Sequence, residues 1–350
     1  MSFEVRLATS GKRFHAEAHE SILDAAIRAG VTLNYGCSNG NCGLCKARIV
    51  SGSTRQLRTH DFVIREAEKL QGHALMCSNA CQGDVVIDAD VAEGPTDIPV
   101  QELRVKVRKI ERISDDLAII TTQVPRTVRL RFLAGQYMLV TDEQQESHQY
   151  AIASCPCDAK RLEFHVRKLE GDPFSDTVFN RMSVGSWLDI HGPYGNFVID
   201  ESKDNPLVMI AFDTGFAAVK SLMEHVTDQD SERPIYLYWL GYGEDGLYMN
   251  NLCRSWTDAL DQLEYIPIQL LMLGAGLRDE DLPGVEKKLS SALGQVGHLE
   301  DADVFTALPE QLNELVRRLL MQMGYQSHQF HHELLRENPG QASTQGEAPA

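Results

Sequence analysis

Positive charge and long apolar runs are both scarce in this chain of 350 residues. It holds 33 Lys and Arg against 50 Asp and Glu, and its formal net charge of −17 would repel the phosphates of a nucleic acid. No apolar stretch reaches the roughly 20 residues that span a bilayer, and the N-terminal segment lacks the pattern of a secretory signal. We therefore expect a cytoplasmic protein with no membrane span and no nucleic-acid partner.

The chain has eight cysteines, and the expected cytoplasmic compartment bears on their chemical state. In a reducing environment cysteines serve as metal ligands or free thiols more often than as disulfides. Cys155 and Cys157, in the run SCPC, are separated by Pro156 alone. We expect this pair to be buried or partly exposed thiols rather than a redox pair.

The run CSNGNCGLC, residues 37–45, carries the strongest chemical signal. It spaces Cys37, Cys42 and Cys45 as the loop of a plant-type 2Fe-2S cluster does, with four residues and then two between them. A zinc site is the alternative, but zinc ribbons use two separate knuckles rather than one loop with three ligands. The fourth ligand is predicted to be Cys77, with Cys81 in reserve. The sequence therefore predicts a protein that handles single electrons.

The chain is too long for one hydrophobic core and divides into three blocks and a tail. We predict a 2Fe-2S domain at 1–95, a β-barrel at 100–200, an α/β domain at 205–335 and a disordered tail at 336–350. Residues 1–95 hold 10 Lys and Arg against 11 Asp and Glu, so nearly all of the net charge lies elsewhere. A redox partner of the first block would therefore meet a nearly neutral surface.

Hydrophobic periodicity indicates the fold of each block. The first shows two short strands, a helix over ESILDAAIRAG, the cysteine loop and a returning strand KARIVSG. This order resembles the ubiquitin-like ferredoxin fold. The second alternates apolar and polar residues in ELRVKVRKI and RLEFHVRK, which favours a small antiparallel barrel. The fold class is thus multi-domain, α+β followed by α/β.

Four motifs in the second block occur in the order found in the ferredoxin-reductase flavoprotein family. They are FLAGQYMLV (132–140), HQYAIAS (148–154), GDPFSDTVF (171–179) and HGPYGNF (191–197). The resemblance implies an FAD-binding barrel in which Tyr150 contacts the flavin at the reacting centre and Ser175 begins a helix whose N-terminus faces the diphosphate. The residues it implies for FAD are His148, Tyr150, Ala151, Ile152, Ser154, Gly171 and Ser175.

The third block resembles the NAD(P)H-binding domain of the same family. PLVMIAF, IYLYWLGY, YIPIQLLML and DADVFTALP read as buried strands separated by helices. Thr214 and Gly215 are implied for the dinucleotide, and Thr306 stands where the family has a catalytic cysteine. Phe212 and Asp213 replace two glycines of the family's turn, and an Asp there would repel a diphosphate unless it points away. NADH is favoured over NADPH.

The resemblance implies the reductase component of a multicomponent oxygenase, or the similar reductase that serves a sugar dehydrase. Electrons would pass from NADH through FAD and the 2Fe-2S cluster to a protein acceptor, met transiently by a monomer. The alternative is an electron-relay subunit whose dinucleotide site has degenerated. Separately, His328, His331 and His332 are expected on one side of a helix that ends in a solvated turn.

Overall fold

Three sheets follow one another along the chain in the structure, which is a computed structural model. It describes residues 2–31, 33–34, 40, 43–58, 63–89, 94, 98–125, 128, 130–141, 147–158, 160–229, 231–242, 245–270, 282–325 and 330–334. In the described residues no helix has the length and apolar character needed to cross a membrane. The fold class predicted from the sequence is confirmed.

The first unit is a mixed five-stranded sheet with one helix packed on it. Its elements are β1 (Ser2–Leu7), β2 (Arg13–Glu17), α1 (Ile22–Arg28), β3 (Lys46–Ser51), β4 (Thr54–Gln56), α2 (Glu66–Leu70), β5 (His73–Leu75), β6 (Asn79–Cys81) and β7 (Val85–Asp88). The sheet order is β2-β1-β7-β3-β5, while β4 and β6 form a separate ribbon. The predicted helix is present as α1, where the Ser21 hydroxyl accepts the Asp24 N–H at 3.0 Å as an N-cap.

The second unit is an antiparallel sheet of six strands that curls into a barrel. Its elements are β8 (Gln101–Arg112), β9 (Leu117–Gln123), β10 (Tyr137–Thr141), β11 (Ser147–Ala151), β12 (Arg161–Arg167), α3 (Pro173–Asn180) and β13 (Trp187–Tyr194). The order is β11-β10-β13-β8-β9-β12. The two edge strands meet where the Ala153 N–H donates to the Glu163 carbonyl at 2.8 Å. The barrel is therefore nearly closed.

The third unit is a parallel sheet covered by helices. Its elements are β14 (Leu207–Phe212), α4 (Phe216–Asp228), β15 (Ile235–Tyr242), α5 (Asn250–Ala259), β16 (Leu263–Leu270), α6 (Leu282–Leu293), β17 (Asp303–Leu308), α7 (Glu310–Gln322) and β18 (Phe330–Leu334). The order is β16-β15-β14-β17-β18. From β14 the next strands are added on one side of the sheet, and β17 and β18 are then added on the other side. The point between β14 and β17 where this order switches is where α/β sheets bind ligands, at the carboxyl ends of the strands.

The C-terminal histidine segment is a strand, so the helix expected there is wrong. β18 pairs in parallel with β17, and the His331 ring stacks on Phe305 with 4.6 Å between centroids. Pairing with a strand far along the chain decides this conformation, and helical spacing of three histidines carries no information about it. His328 and the tail at 336–350 lie outside the described residues.

Polar contacts join the three units to one another. Lys12 and Glu201 form an ion pair at 2.6 Å, and the Gln229 amide donates to the Ala29 carbonyl at 2.5 Å. On the barrel side, Arg131 donates to the Asn34 side chain at 2.5 Å. The first unit therefore rests against both others. The exact limits proposed for the domains stay predictions.

A buried ion pair supports the third unit and gives a stability prediction. Arg233 and Asp303 pair at 2.7 Å with side chains only 7% and 2% exposed. Arg233→Met should lower stability by about 3–5 kcal/mol, because it leaves the Asp303 carboxylate buried without its main partner. Urea unfolding followed by tryptophan fluorescence measures the loss.

The control is Lys203→Met, because Lys203 is 37% exposed and lies 3.8 Å from the same carboxylate. This variant should shift stability by no more than about 1 kcal/mol. Equal shifts for the two variants would contradict the role given to Arg233.

Candidate functional site

Two of the predicted cluster ligands lie together in the first unit. Cys45 and Cys77 are both buried, at 3% and 2% exposure. A hydrogen bond from Cys45 lowers the pKa of the Cys77 thiol to about 6; burial opposes the shift, and Ser78 and the backbone N–H of Gly40 assist it. Cysteine thiolates hold an iron-sulfur cluster, and hydrogen-bond donors next to the sulfurs stabilise their charged form. The site fits the cluster implied by the sequence.

Cys81, the reserve ligand, lies in a different setting. It is on β6 opposite Thr54, in the ribbon with β4. Burial raises the pKa of Cys81 to about 11, and the nearby carboxylates Asp84 and Glu20 add to that rise. A site that disfavours the thiolate suits a packed thiol, whereas ligands must be deprotonated. Cys77, with its hydrogen bond to Cys45, therefore stays the predicted fourth ligand. Cys37 and Cys42 lie outside the described residues.

A single cleft gathers most residues predicted for the flavin and the dinucleotide. It lies between the barrel strands β11 and β12, the turn after β14, and β18. Its lining includes His148, Gln149, Tyr150, Ala151, His165, Arg167, Asp172, Thr214, Gly215, Ala307 and Glu333. The structure therefore brings together His148, Tyr150, Ala151, Thr214 and Gly215, five residues predicted from separate motifs.

Tyr150 and His148 are held by the helix that follows. Phe174 of α3 contacts both rings, at 5.1 Å from His148 and 5.0 Å from Tyr150 between centroids. His148 Nδ1 also lies 3.2 Å from the Asp172 carboxylate. The aromatic ring of Tyr150 at this wall of the cleft, packed on Phe174, suits the flat ring system of a flavin. The residues present fit FAD.

The start of α3 differs from the prediction made for Ser175. Its N–H donates to the Asp172 side chain at 2.7 Å, so in this arrangement it is not available to donate to a diphosphate. The Ser175 hydroxyl is fully buried and bonds the backbone of Leu169. Gly171 precedes it in the left-handed region at φ 78°. Ser175 is thus a helix-start residue, and contact with the diphosphate stays a prediction.

Two further predicted residues, Ile152 and Ser154, follow Tyr150 along the chain but are not among the residues that line the cleft. Ile152 is buried in the barrel core, and its N–H donates to the Gln136 carbonyl at 3.0 Å. The Ser154 hydroxyl bonds the backbone of Arg161, and its carbonyl accepts from Ser221 of α4 at 2.9 Å. Both residues fix the path of the backbone that carries Tyr150.

Asp213, the unexpected acid at the dinucleotide turn, does not line the cleft and forms an ion pair with Arg167. Its carboxylate forms two hydrogen bonds with the Arg167 guanidinium across the seam between the barrel and the parallel sheet. Arg167 also contacts Asp116 at 2.9 Å. Burial raises the pKa of Asp213, and the Arg167 charge opposes that rise. The repulsion expected from an unpaired carboxylate is therefore removed.

Thr306 has a different position from the one its predicted role requires. The side chain is fully buried, and its hydroxyl donates to Asn313 of α7 at 2.8 Å. Ala307, the next residue, lines the cleft in its place. Thr306 thus contacts α7 and does not line the cleft, and a catalytic role for it stays a prediction.

Glu333 is a site residue that sequence reasoning missed. It reaches the cleft from β18 and accepts a hydrogen bond from Gln149 of β11 at 2.5 Å. Burial raises the pKa of Glu333 to about 7, with Gln149 opposing the rise. No local pattern in the run FHHEL marks Glu333, because the strand that carries it is defined by pairing with β17. The cleft thus contains a carboxyl group that titrates near neutral pH.

A second seam contact is a row of buried polar groups. Tyr248 bonds His165 Nδ1 at 2.7 Å, and His165 Nε2 lies 2.9 Å from Glu163. Glu163 also pairs with Lys220 of α4 at 3.2 Å. Burial alone would raise the pKa of Glu163, but His165 and Lys220 lower it to about 2. These contacts fix β12 against the parallel sheet.

Comparison with known proteins agrees with this geometry. Residues 5–85 match the family described as a 2Fe-2S iron-sulfur cluster binding domain, and residues 104–199 match the oxidoreductase FAD-binding domain. A CDP-6-deoxy-L-threo-D-glycero-4-hexulose-3-dehydrase reductase of Yersinia pestis is 32% identical over 77% of this chain and 80% of its own length. A terephthalate 1,2-dioxygenase reductase component of Comamonas is 26% identical over 97% and 99%.

Solved structures share the fold. A cytochrome P450 reductase from Amycolatopsis superposes with a TM-score of 0.57 at 21% identity, covering 95% of this chain and 98% of that one. The ferredoxin reductase of a carbazole 1,9a-dioxygenase gives a TM-score of 0.55 at 19% identity, covering 96% and 99%.

Fold and site together define an electron-transfer oxidoreductase that uses FAD and a 2Fe-2S cluster. The chain belongs to the ferredoxin-reductase flavoprotein family whose members carry an N-terminal plant-type 2Fe-2S domain.

The identity of the fourth cluster ligand can be tested by paired substitutions. Cys77→Ser should abolish the visible spectrum of the cluster and its iron content, because a thiolate next to Cys45 is lost. Cys81→Ser is the matched control, a buried cysteine of the same unit, and should retain both signals. Retention in Cys77→Ser with loss in Cys81→Ser would assign the ligand to Cys81.

The raised pKa of Glu333 predicts a dependence of stability on pH. Its pKa rises from 4.5 to about 7, so the folded chain holds the proton more tightly than the unfolded chain. The stabilisation is complete below pH 4.5 and is lost as pH rises through about 7. The change amounts to at most about 3 kcal/mol.

Glu333→Gln should remove that slope, because a neutral amide holds no proton to lose. The measurement is the urea midpoint of wild type and variant between pH 5 and pH 8. Glu314→Gln, an exposed change on α7, should keep the wild-type slope. A slope unchanged in Glu333→Gln would contradict the assignment.

Proposed function

We propose that this chain takes electrons from NADH and delivers them, through FAD and a 2Fe-2S cluster, to a protein acceptor. The observation that carries the proposal is the shared cleft. Tyr150 of the barrel and the Thr214–Gly215 turn of the parallel sheet line the same space. A hydride donor bound at the sheet edge would face a flavin bound at the barrel, as direct transfer requires. When bound, FAD and the cluster supply the conversion of an electron pair into single electrons.

The chain's own residues have distinct tasks in this proposal. Tyr150 forms an aromatic wall of the reacting centre, His148 lines the cleft beside it, and Arg167 neutralises Asp213 next to the dinucleotide turn. Ala151, Ile152, Ser154, Gly171 and Ser175 shape the backbone around the flavin. Glu333 holds or releases a proton at the cleft wall. Cys37, Cys42, Cys45 and Cys77 are the proposed cluster ligands.

The dinucleotide is proposed to bind at the start of α4, over Thr214 and Gly215. Backbone amides at a helix N-terminus favour a diphosphate, and the pairing of Asp213 with Arg167 removes the nearest repulsion. The preference for NADH rests on the sequence at the end of β15, where Tyr242, Gly243, Glu244 and Asp245 stand in place of the arginine of NADPH-preferring relatives. Gly243 and Glu244 lie outside the described residues.

A relay subunit without dinucleotide chemistry is the second candidate function. It is favoured by Phe212, whose ring packs edge-on against Tyr242 at 5.4 Å between centroids where relatives have glycine. Thr306 also favours the relay function, because its buried hydroxyl donates to Asn313 and the cleft therefore has no thiol at this position. Another reductant would then feed the flavin.

The acceptor is proposed to be an oxygenase, hydroxylase or dehydrase component that the monomer meets transiently. Support comes from relatives named as dehydrase and dioxygenase reductases. Electron-transfer contacts are typically small and short-lived. We also propose the cytoplasm as the compartment, because cluster ligands must be kept as reduced thiols.

The two candidate functions are separated by anaerobic visible spectroscopy of the cofactor-loaded protein. NADH should promptly bleach the flavin and cluster bands, and NADPH should do so more slowly. Dithionite, which needs no dinucleotide site, is the control and should bleach both centres fully. Bleaching by dithionite alone would reject the NADH-dependent function and support the relay subunit.

A further inference from the structure

The turn that follows β11 contains a disulfide that the proposed electron path does not use. Cys155 and Cys157 are bonded to one another across Pro156, with 5.2 Å between their Cα atoms. The expectation that they are separate thiols is therefore wrong. A 3₁₀ turn over Pro156–Asp158 bends the backbone and brings the two side chains together. Single-residue spacing alone does not predict that bend.

The two sulfurs differ in solvent exposure, and this difference decides which of them an external thiolate attacks. Cys155 is buried at 4% exposure, whereas Cys157 is partly exposed. An attacking thiolate from solvent can reach Cys157, and Cys155 then leaves as a thiolate. The Cys157 N–H lies 3.2 Å from the Cys155 sulfur, where it would stabilise that leaving thiolate.

The disulfide lies where the three units meet. Its 3₁₀ turn belongs to the barrel and packs against α1 of the first unit and α4 of the third. The Cys155 N–H donates to Glu224 of α4 at 3.0 Å. Nearby, Gln229 of α4 bonds the Ala29 carbonyl at the end of α1. A conformational change in this turn would therefore alter its contacts with both the cluster domain and the α/β domain.

We propose that Cys155 and Cys157 form a reversible thiol–disulfide site whose state sets how firmly α1 is held at the three-unit junction. Its substrates are cellular dithiols and disulfides of the thiol-exchange class. Two thiols cannot stay at bonding distance, so reduction moves Cys157 and loosens the turn against α1. The exchange stands independently of the proposed function; only its consequence for electron transfer to the cluster rests on that function.

The exchange is balanced in atoms and electrons. In oxidation, the Cys157 thiolate attacks an external disulfide, forms a mixed disulfide and releases one external thiol. The Cys155 thiolate then displaces the second external thiol and forms the bond to Cys157. The external disulfide gains two electrons and the two protons that the cysteine thiols lose. Reduction by an external dithiol runs the same steps in reverse.

A metal site is the competing explanation for this cluster. The two sulfurs and a carboxylate oxygen of Asp228 lie within 4.8 Å of one another. The sulfurs are already bonded to each other, and Asp228 is exposed at the end of α4. The structure therefore favours a disulfide, and metal binding becomes an outcome that the experiment can detect.

The test uses the cofactor-loaded protein poised with glutathione disulfide or with dithiothreitol. Intact-mass analysis after acid quenching and alkylation counts the reactive thiols. Hydrogen–deuterium exchange then measures protection of α1 (Ile22–Arg28) in both states. We expect dithiothreitol to expose two additional thiols and to make α1 amides exchange about tenfold faster.

Variants separate the site from general effects of the reductant. Cys157→Ser and Cys155→Ser should each exchange at α1 like the reduced wild type in both buffers. Cys253→Ala, which removes a buried cysteine of α5, should respond as the wild type does. Because these readouts need no dinucleotide, failure of NADH to reduce the flavin would leave them unaffected.

Three outcomes would overturn the proposal. One is an equal number of reactive thiols in both buffers. Another is equal exchange of α1 in both states while the thiol number changes. The third is a bound zinc ion, detected by native mass spectrometry without acid, that both cysteine substitutions remove, which would make the cluster a metal site.

Discussion

The ion pair between Arg167 and Asp213 is the contact on which the functional cleft depends. It joins the last residue of barrel strand β12 to the first residue after β14, with side chains 18% and 17% exposed. A largely buried pair is retained only when its geometry is good and its remaining groups are satisfied. Arg167 meets that condition with Asp116, and Asp213 meets it through its carbonyl, which accepts from the Trp239 indole at 3.1 Å. The flavin and dinucleotide halves of the cleft are thereby fixed in one orientation.

The row of buried groups beside this pair stabilises the same seam by another route. His165 and Glu163 are two residues apart on β12 and so lie on the same face of the strand. Lys220 and Glu224 lie one turn apart on α4. Each charge faces an opposite charge or a hydrogen-bonding group, so the desolvation cost of each is offset locally. Glu224 also holds the Cys155 N–H, which connects this seam to the junction with α1. Cleft and junction are thus parts of one polar framework.

Features set by local pattern could be predicted from the sequence, and features set by distant pairing could not. The run IYLYWLGY predicts a strand that coincides with β15, Ile235–Tyr242, because continuous apolar and aromatic character decides it. The order of the flavin motifs likewise predicted the positions of His148 and Tyr150 in one cleft. By contrast, β18 and its Glu333 depend on pairing with β17, which no local pattern reveals.

The replacement of glycine by Asp213 shows how a departure from a family pattern can be compatible with the same architecture. Asp213 has φ of 46°, a left-handed conformation that Asp tolerates better than most residues. An unpaired carboxylate there would repel a diphosphate, so the substitution is compatible with dinucleotide binding only if a cation of the barrel neutralises it. Arg167 is that cation, on a neighbouring domain. Asp213 in the third unit is therefore explained only with the second unit in place, and this one replacement argues for coupled domains.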